Sequence, residues 1–218
     1  MLYKKLRERL WGLLREFPEN NLGSWTSGNA SVRDRNTGYI AIKPSGIPLK
    51  RLNPKDMAIL DLNGEVIDGS LKPSSDSGAH LYIYRHLPHM GGIIHTHSPY
   101  ATSFAVVGKS IPFCLTELAD ITKWEIRCSD FVLPGGENIG KVVVENIGNS
   151  PAILLKNHGV IAIGSSGEKA LNTAIFVEHS AYIYWLAEQV GKPALISLEN
   201  VSKIFDYHTT VYGQSNDR

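Results

Sequence analysis

Only two cysteines, Cys114 and Cys128, occur in the 218 residues. Two thiols at that spacing build neither a disulfide framework nor a cysteine-based metal site, so both are read as free thiols in a reducing cytosol. Nowhere does an apolar run approach the roughly 18 residues that span a bilayer. Near the N-terminus Lys4, Lys5, Arg7 and Arg9 interrupt the apolar positions, leaving no unbroken segment of signal-peptide type. Nor is there a surplus of one charge, since 22 Lys and Arg stand against 21 Asp and Glu, a formal net of +1. A nucleic-acid binder usually shows a basic excess gathered into a stripe; an anionic ligand here must be held by local groups instead. These absences leave a soluble, cytoplasmic protein with no nucleic-acid or membrane partner.

What is present is ordinary in bulk and informative in order. Hydrophobic residues make up 43% and charged residues 20%, near the averages of globular domains. A chain this long buries roughly 70% of its unfolded surface on folding, so residues 1–218 are expected to form a single domain. Leu2, Leu6, Leu10, Leu13, Leu14 and Phe17 recur at helical spacing, and Pro18 with the polar run Glu19-Asn20-Asn21 is expected to end that helix. Residues 24–48 read as short strands joined by tight turns, and Met57 to Val66 as a hairpin turning at Asn63-Gly64. Asp76 to His86 reads as a helix with Ser74 or Ser75 as N-cap. Further on, strands are expected at 92–97, 152–156 and 160–163, with helices at 100–107, 139–147, 168–190 and 201–212. Mixed α/β character follows.

The chemistry begins at His95-Thr96-His97. Alternation along a strand puts both imidazoles on one face, where two of them can bite one metal ion. A pair of unremarkable histidines is the better reading of an isolated motif of this kind. Here His158, in Asn157-His158-Gly159 at the end of an apolar strand, supplies a third ligand. Three neutral imidazoles with an open fourth position make a catalytic zinc site, although other first-row divalent ions suit the same ligands. His80, His86, His89, His179 and His208 remain as substitutes; His86 and His89 read as exposed, and His179 as packed or capped in the long helix. A second constellation comprises Ser27-Gly28-Asn29-Ala30-Ser31, Lys43-Pro44-Ser45-Gly46 and Pro73-Ser74-Ser75-Asp76. Glycine lets backbone N–H groups approach a ligand, hydroxyls and amides add donors, and Lys43 adds a positive charge. A helix opening at Ser74-Ser75 would offer free amides to a phosphate. Any one loop is an ordinary turn; three beside a metal site suggest a phosphorylated substrate.

In this order, the SGN, KPSG, PSSD, HTH and NHG motifs resemble those of the class II aldolase/L-ribulose-5-phosphate 4-epimerase family, over a stretch from about Leu22 to the C-terminus. The resemblance implies a three-layer α/β/α sandwich around a mostly antiparallel sheet, and a homotetramer with active sites between subunits. It carries zinc onto His95, His97 and His158, and phosphate binding onto Gly28, Asn29, Ser45, Gly46, Ser74 and Ser75. Aldolases of the family carry Glu after the paired serines; the epimerases carry Asp, associated with the metal, and this chain has Asp76. Asp120 in Leu118-Ala119-Asp120 resembles the epimerase acid/base aspartate, and Tyr212 the C-terminal catalytic tyrosine. A surface carboxylate and a helix-packing aromatic are the plainer readings of those two positions.

The epimerase branch implies inversion at carbon 4 of L-ribulose 5-phosphate, as in arabinose catabolism, by cleaving and re-forming the bond between carbons 3 and 4. Competing expectations on the same scaffold are an L-fuculose-1-phosphate type of aldolase and a methylthioribulose-phosphate dehydratase. From another class comes a non-catalytic interaction domain like the adducin head, which would be expected to lose the metal ligands.

Overall fold

The computed structural model describes residues 2–211. The chain opens with α1 (Lys4–Glu19), which turns Leu6, Leu10, Leu13, Leu14 and Phe17 inward. It ends at Glu19 with Asn20 as C-cap, inside the Pro18–Asn21 stretch expected to end it; a proline in the last turn forfeits only one backbone bond there. There follow β1 (Asn29–Arg33), β2 (Ile40–Ile42), β3 (Ala58–Leu60) and β4 (Val66–Asp68), then α2 (Ser77–His86), β5 (Gly92–Thr96) and α3 (Pro99–Val107). The second half holds α4 (Thr116–Ile121), α5 (Asn138–Asn146), β6 (Ala152–Leu155), β7 (Gly159–Gly164), α6 (Gly167–Val190) and α7 (Leu198–Thr210). Among these, α4 has no counterpart in the sequence expectations, and α7 begins three residues earlier than expected.

The strands form one seven-stranded sheet in the order β4-β3-β2-β1-β5-β7-β6, and every pairing in it is antiparallel. Strand alternation sorts its side chains into two cores. Ala41, Ile59, Ile94, Leu154 and Ala162 join the core shared with α1, α3, α4, α6 and α7. Their neighbours Ile40, Ile42, Ile93, Ile153, Ile161 and Ile163 join the core under α2 and α5. Because both faces are covered, the central strands read as near-continuous apolar runs. This is the three-layer α/β/α sandwich the resemblance implies. Among the described residues no helix is long and apolar enough to cross a membrane.

Register decides where chemistry can gather. Asn29 opposes His95 across β1 and β5, and His95 opposes Ile161 across β5 and β7. One end of the three central strands therefore collects Asn29, His95, His97 and the turn that bears His158.

Candidate active site

His95 is fully enclosed in β5, His158 is half-buried in the β6–β7 turn, and His97, just past β5, is exposed. Two glycines allow the approach. A Cβ on Gly159 would stand 2.2 Å from the Thr96 carbonyl oxygen and 3.2 Å from the His97 ring. Gly28 holds φ +77°, and a Cβ there would stand 3.1 Å from the His95 carbonyl. Ahead of His158, Asn157 takes φ 57°, a left-handed conformation that Asn tolerates better than most residues.

The three rings stand edge to face, with centroids 4.8, 4.8 and 5.1 Å apart, and their ligand atoms all lie within 4.8 Å of one another. His95 Nδ1 lies 3.0 Å from the Val160 carbonyl. A carbonyl only accepts, so Nδ1 carries the proton and Nε2 presents a lone pair. That lone pair faces His97 Nε2 at 3.0 Å, so a proton or a cation must lie between them. Buried His158 Nδ1 has no hydrogen-bond partner. Burial pushes His95 down to about 3 and lowers His97 and His158 as well, which keeps the imidazoles neutral, as metal ligation requires. Three neutral nitrogens, one lone pair fixed by a backbone bond and one orphaned, fit a divalent ion with an open coordination position.

Asp76 stands beside this cluster, its Oδ2 accepting from Asn29 Nδ2 at 2.7 Å and lying 3.8 Å from His95 Nε2. Burial opposes its charge, but the imidazoles of His95 and His80 and the Asn29 amide outweigh burial and hold the carboxyl below its usual range. The helix it precedes starts at Ser77, with Asp76 in the N-cap position and Ser74 and Ser75 outside. Ser74 N is spent on the Lys43 carbonyl at 3.0 Å, so the free amides expected there are fewer than a helix opening at Ser74 would give. That bond and Ser45 N to Lys72 O at 2.9 Å tie the loops at 43–46 and 72–76 together.

A cavity of about 410 Å³ unites these groups; its wall includes Gly28, Asn29, Lys43, Ser45, Gly46, Ser74, Ser75, Asp76 and the three histidines. Lys43 is buried, donates to the Thr26 carbonyl at 3.0 Å, and has its pKa lowered by that burial, with Asp76 opposing the shift. A neighbouring cavity of about 720 Å³ shares His97 and opens beneath exposed Trp25.

Asp120 lies on α4, outside the wall of the histidine cavity, and Tyr212 falls outside the described residues. Of the two readings of His179, packed or capped, the second agrees with the structure: the ring is exposed, with Nδ1 2.6 Å from Glu117 Oε2. His80 is buried against Ser31 Oγ at 2.7 Å, while His86 and His89 are exposed as expected. One residue was missed. Glu178 of α6, 4% exposed, accepts from Tyr100 N at 3.0 Å and Ala101 N at 2.8 Å, gripping the turn just after His97. Its signal was a charge standing on the buried stripe of a helix, four residues after Ala174 and four before Tyr182.

Residues 8–185 match the Class II Aldolase and Adducin N-terminal domain family. Among solved structures, an L-fuculose 1-phosphate aldolase superposes with TM-score 0.89 at 29% identity, covering 96% of this chain and 98% of its own. The L-fuculose-1-phosphate aldolase from Thermus thermophilus gives TM-score 0.72 at 26% identity, covering 88% of this chain and 99% of its own. YgbL from Klebsiella pneumoniae, described without an established activity as an aldolase/epimerase/decarboxylase, gives 0.83 at 23% identity over 94% and 99%, a likeness of fold alone.

Proposed function

Because the chain belongs to the class II aldolase and adducin N-terminal domain family, we propose that it makes and breaks a carbon–carbon bond next to the carbonyl of a phosphorylated sugar, with zinc as its metal. The observation that carries this reading is a single cavity walled by three clustered histidines and three hydroxyl- and glycine-rich loops. His95, His97 and His158 would hold the ion, which when bound supplies Lewis-acid polarisation of a carbonyl. Gly28, Asn29, Ser45, Gly46, Ser74 and Ser75 would grip the phosphate, with Lys43 behind them neutralising part of its charge. Asn29 aims the Asp76 carboxylate at the histidine cluster, where it can orient a substrate hydroxyl or hold its proton. An adducin-like interaction domain has no need of this donor set.

Asp76 favours 4-epimerisation of L-ribulose 5-phosphate to D-xylulose 5-phosphate, since an aspartate is one methylene shorter than the glutamate expected of an aldolase base. Epimerisation also needs proton transfer on both faces of the aldehyde oxygen. Asp120 and Tyr212 would serve there from a neighbouring subunit of a homotetramer, each acid/base role being worth about 10²–10⁴-fold. A second reading, an aldolase that releases both fragments, is favoured by the 29% identity to an L-fuculose 1-phosphate aldolase over nearly the whole chain. NMR of L-ribulose 5-phosphate, and separately of L-fuculose 1-phosphate, incubated with zinc-loaded protein separates them. Xylulose 5-phosphate without fragments supports the epimerase; lactaldehyde and dihydroxyacetone phosphate from the second substrate support the aldolase. No zinc-dependent change in either would remove both.

A further inference from the structure

The three strands that carry the histidine cluster at one end carry a second feature at the other. β1 runs from Asn29 to Arg33, Gly91 lies just ahead of β5, and Ser165 lies just after β7. Four residues of strand put the two ends about 13 Å apart. At the far end is a cleft of about 530 Å³ lined by Lys5, Arg9, Arg33 and Arg35, with Asp34 its sole carboxylate. A chain whose formal net charge is only +1 thus gathers a formal excess of three positive charges in one concavity.

Those charges are poorly cancelled. Arg9 is the exception, paired with Glu168 at 2.7 Å. Asp34 is turned into its own loop, accepting from Asn36 N at 2.9 Å and Thr37 Oγ1 at 3.1 Å. Among the described residues Lys5, Arg33 and Arg35 form no ion pair. The two guanidiniums are held by neutral carbonyls instead. Arg35 Nη2 donates to His89 O at 3.0 Å and Ser165 O at 3.1 Å, and Arg33 Nη1 to Pro88 O at 3.4 Å. A carbonyl fixes the geometry of a guanidinium without removing its charge, and it leaves most of the five N–H donors unused. Fixing the side chain in advance also reduces the ordering cost when a ligand arrives.

We propose that this cleft is a second anion site, which takes the phosphate of a phosphorylated small molecule on Lys5, Arg33 and Arg35, apart from the histidine cavity. A planar guanidinium matches two phosphate oxygens at once, and the cleft falls within the size range of small-ligand sites.

The test is calorimetric titration with inorganic phosphate at an ionic strength held constant with chloride. Wild type is compared with the K5Q/R33Q double variant, which keeps the carbonyl clamps of Arg35, with R33K, and with S75A in the histidine cavity. The expected result is two classes of phosphate site. K5Q/R33Q weakens one of them about tenfold or more, in line with the loss of charge-assisted bonds, R33K weakens it less, and S75A affects only the other class. Circular dichroism confirms that each variant is folded. An isotherm unchanged in K5Q/R33Q overturns the proposal, as does phosphate heat that chloride abolishes, since screening and not recognition would then explain it. If S75A changes neither class, that would count against the phosphate loops of the proposed function and leave this cleft standing.

Discussion

A single bond to the backbone, His95 Nδ1 to the Val160 carbonyl, fixes the tautomer of a histidine on an apolar strand and leaves its Nε2 lone pair facing His97. His97 completes the set from the most exposed position of the three. If the three imidazoles act together, His97→Ala leaves a two-point site, and zinc affinity measured by chelator competition should fall at least about a hundredfold, beyond the 10–100-fold typical of losing a supporting group. His86→Ala, on an exposed ring stacked against Tyr82, should leave it unchanged; equal effects would reject the grouping. Both halves of this cluster were legible in the sequence, because strand alternation pairs residues 95 and 97 and glycine after His158 marks a close approach. What could not be read was distance. Asp120 and Tyr212 were placed by resemblance alone; Asp120 is not in the wall of the histidine cavity, and Tyr212 falls outside the described residues.

At the scale of elements, the site depends on how β7 and α3 abut β5. Gly159 sits where any Cβ would overlap the Thr96 carbonyl. Gly159→Ala must push the β6–β7 turn away, at about 1–3 kcal/mol of stability, and zinc affinity should drop with it; full affinity in a folded variant would show that the turn has room to yield. Glu178 does for α3 what an N-cap side chain would, since Pro99 and Ser98 offer no side-chain cap bond there. Burial raises its pKa above the ordinary carboxylate value despite the two amides it accepts from. Between the unfolded value and that raised one the native state binds more protons than the unfolded state, so stability falls as pH rises through the window. Glu178→Gln should flatten that slope in urea unfolding measured from pH 4 upward; an unchanged slope would assign it to another group. Long periodic elements were legible, α1, α6 and the apolar strands among them. The six-residue α4 was not, because fewer than two turns give no period to see. The start of α2 was misjudged because Ser74, Ser75 and Asp76 are all acceptable caps in sequence, and the first helical bond, from His80 N to the Asp76 carbonyl at 3.1 Å, makes Asp76 the cap.

For the whole molecule, the question is what holds α1 across the sheet edge. Arg7 was read as one of several basic residues breaking an apolar run, yet it is 2% exposed, on the same stripe as Leu10 and Leu14. Its guanidinium donates to the carbonyls of Leu2 at 3.1 Å and Lys55 at 3.2 Å, to that of Met57, and to the Asp68 carboxylate. One side chain thereby joins the first helix to the entry of β3 and the end of β4. Removing one member of a buried ion pair costs about 3–5 kcal/mol, and because Asp68 is 32% exposed and can rehydrate, the low end applies. Arg7→Met keeps most of the volume, so about 3 kcal/mol should be lost, a fall of roughly 6–12 °C in Tm for a chain of this size. None of these contacts borders the histidine cavity, so zinc affinity of the folded variant should equal that of wild type. A variant that keeps its Tm would mean that α1 is held by its leucines alone. One that loses zinc affinity while still folded would mean that the clamp on the outer strands also fixes the geometry of the central ones.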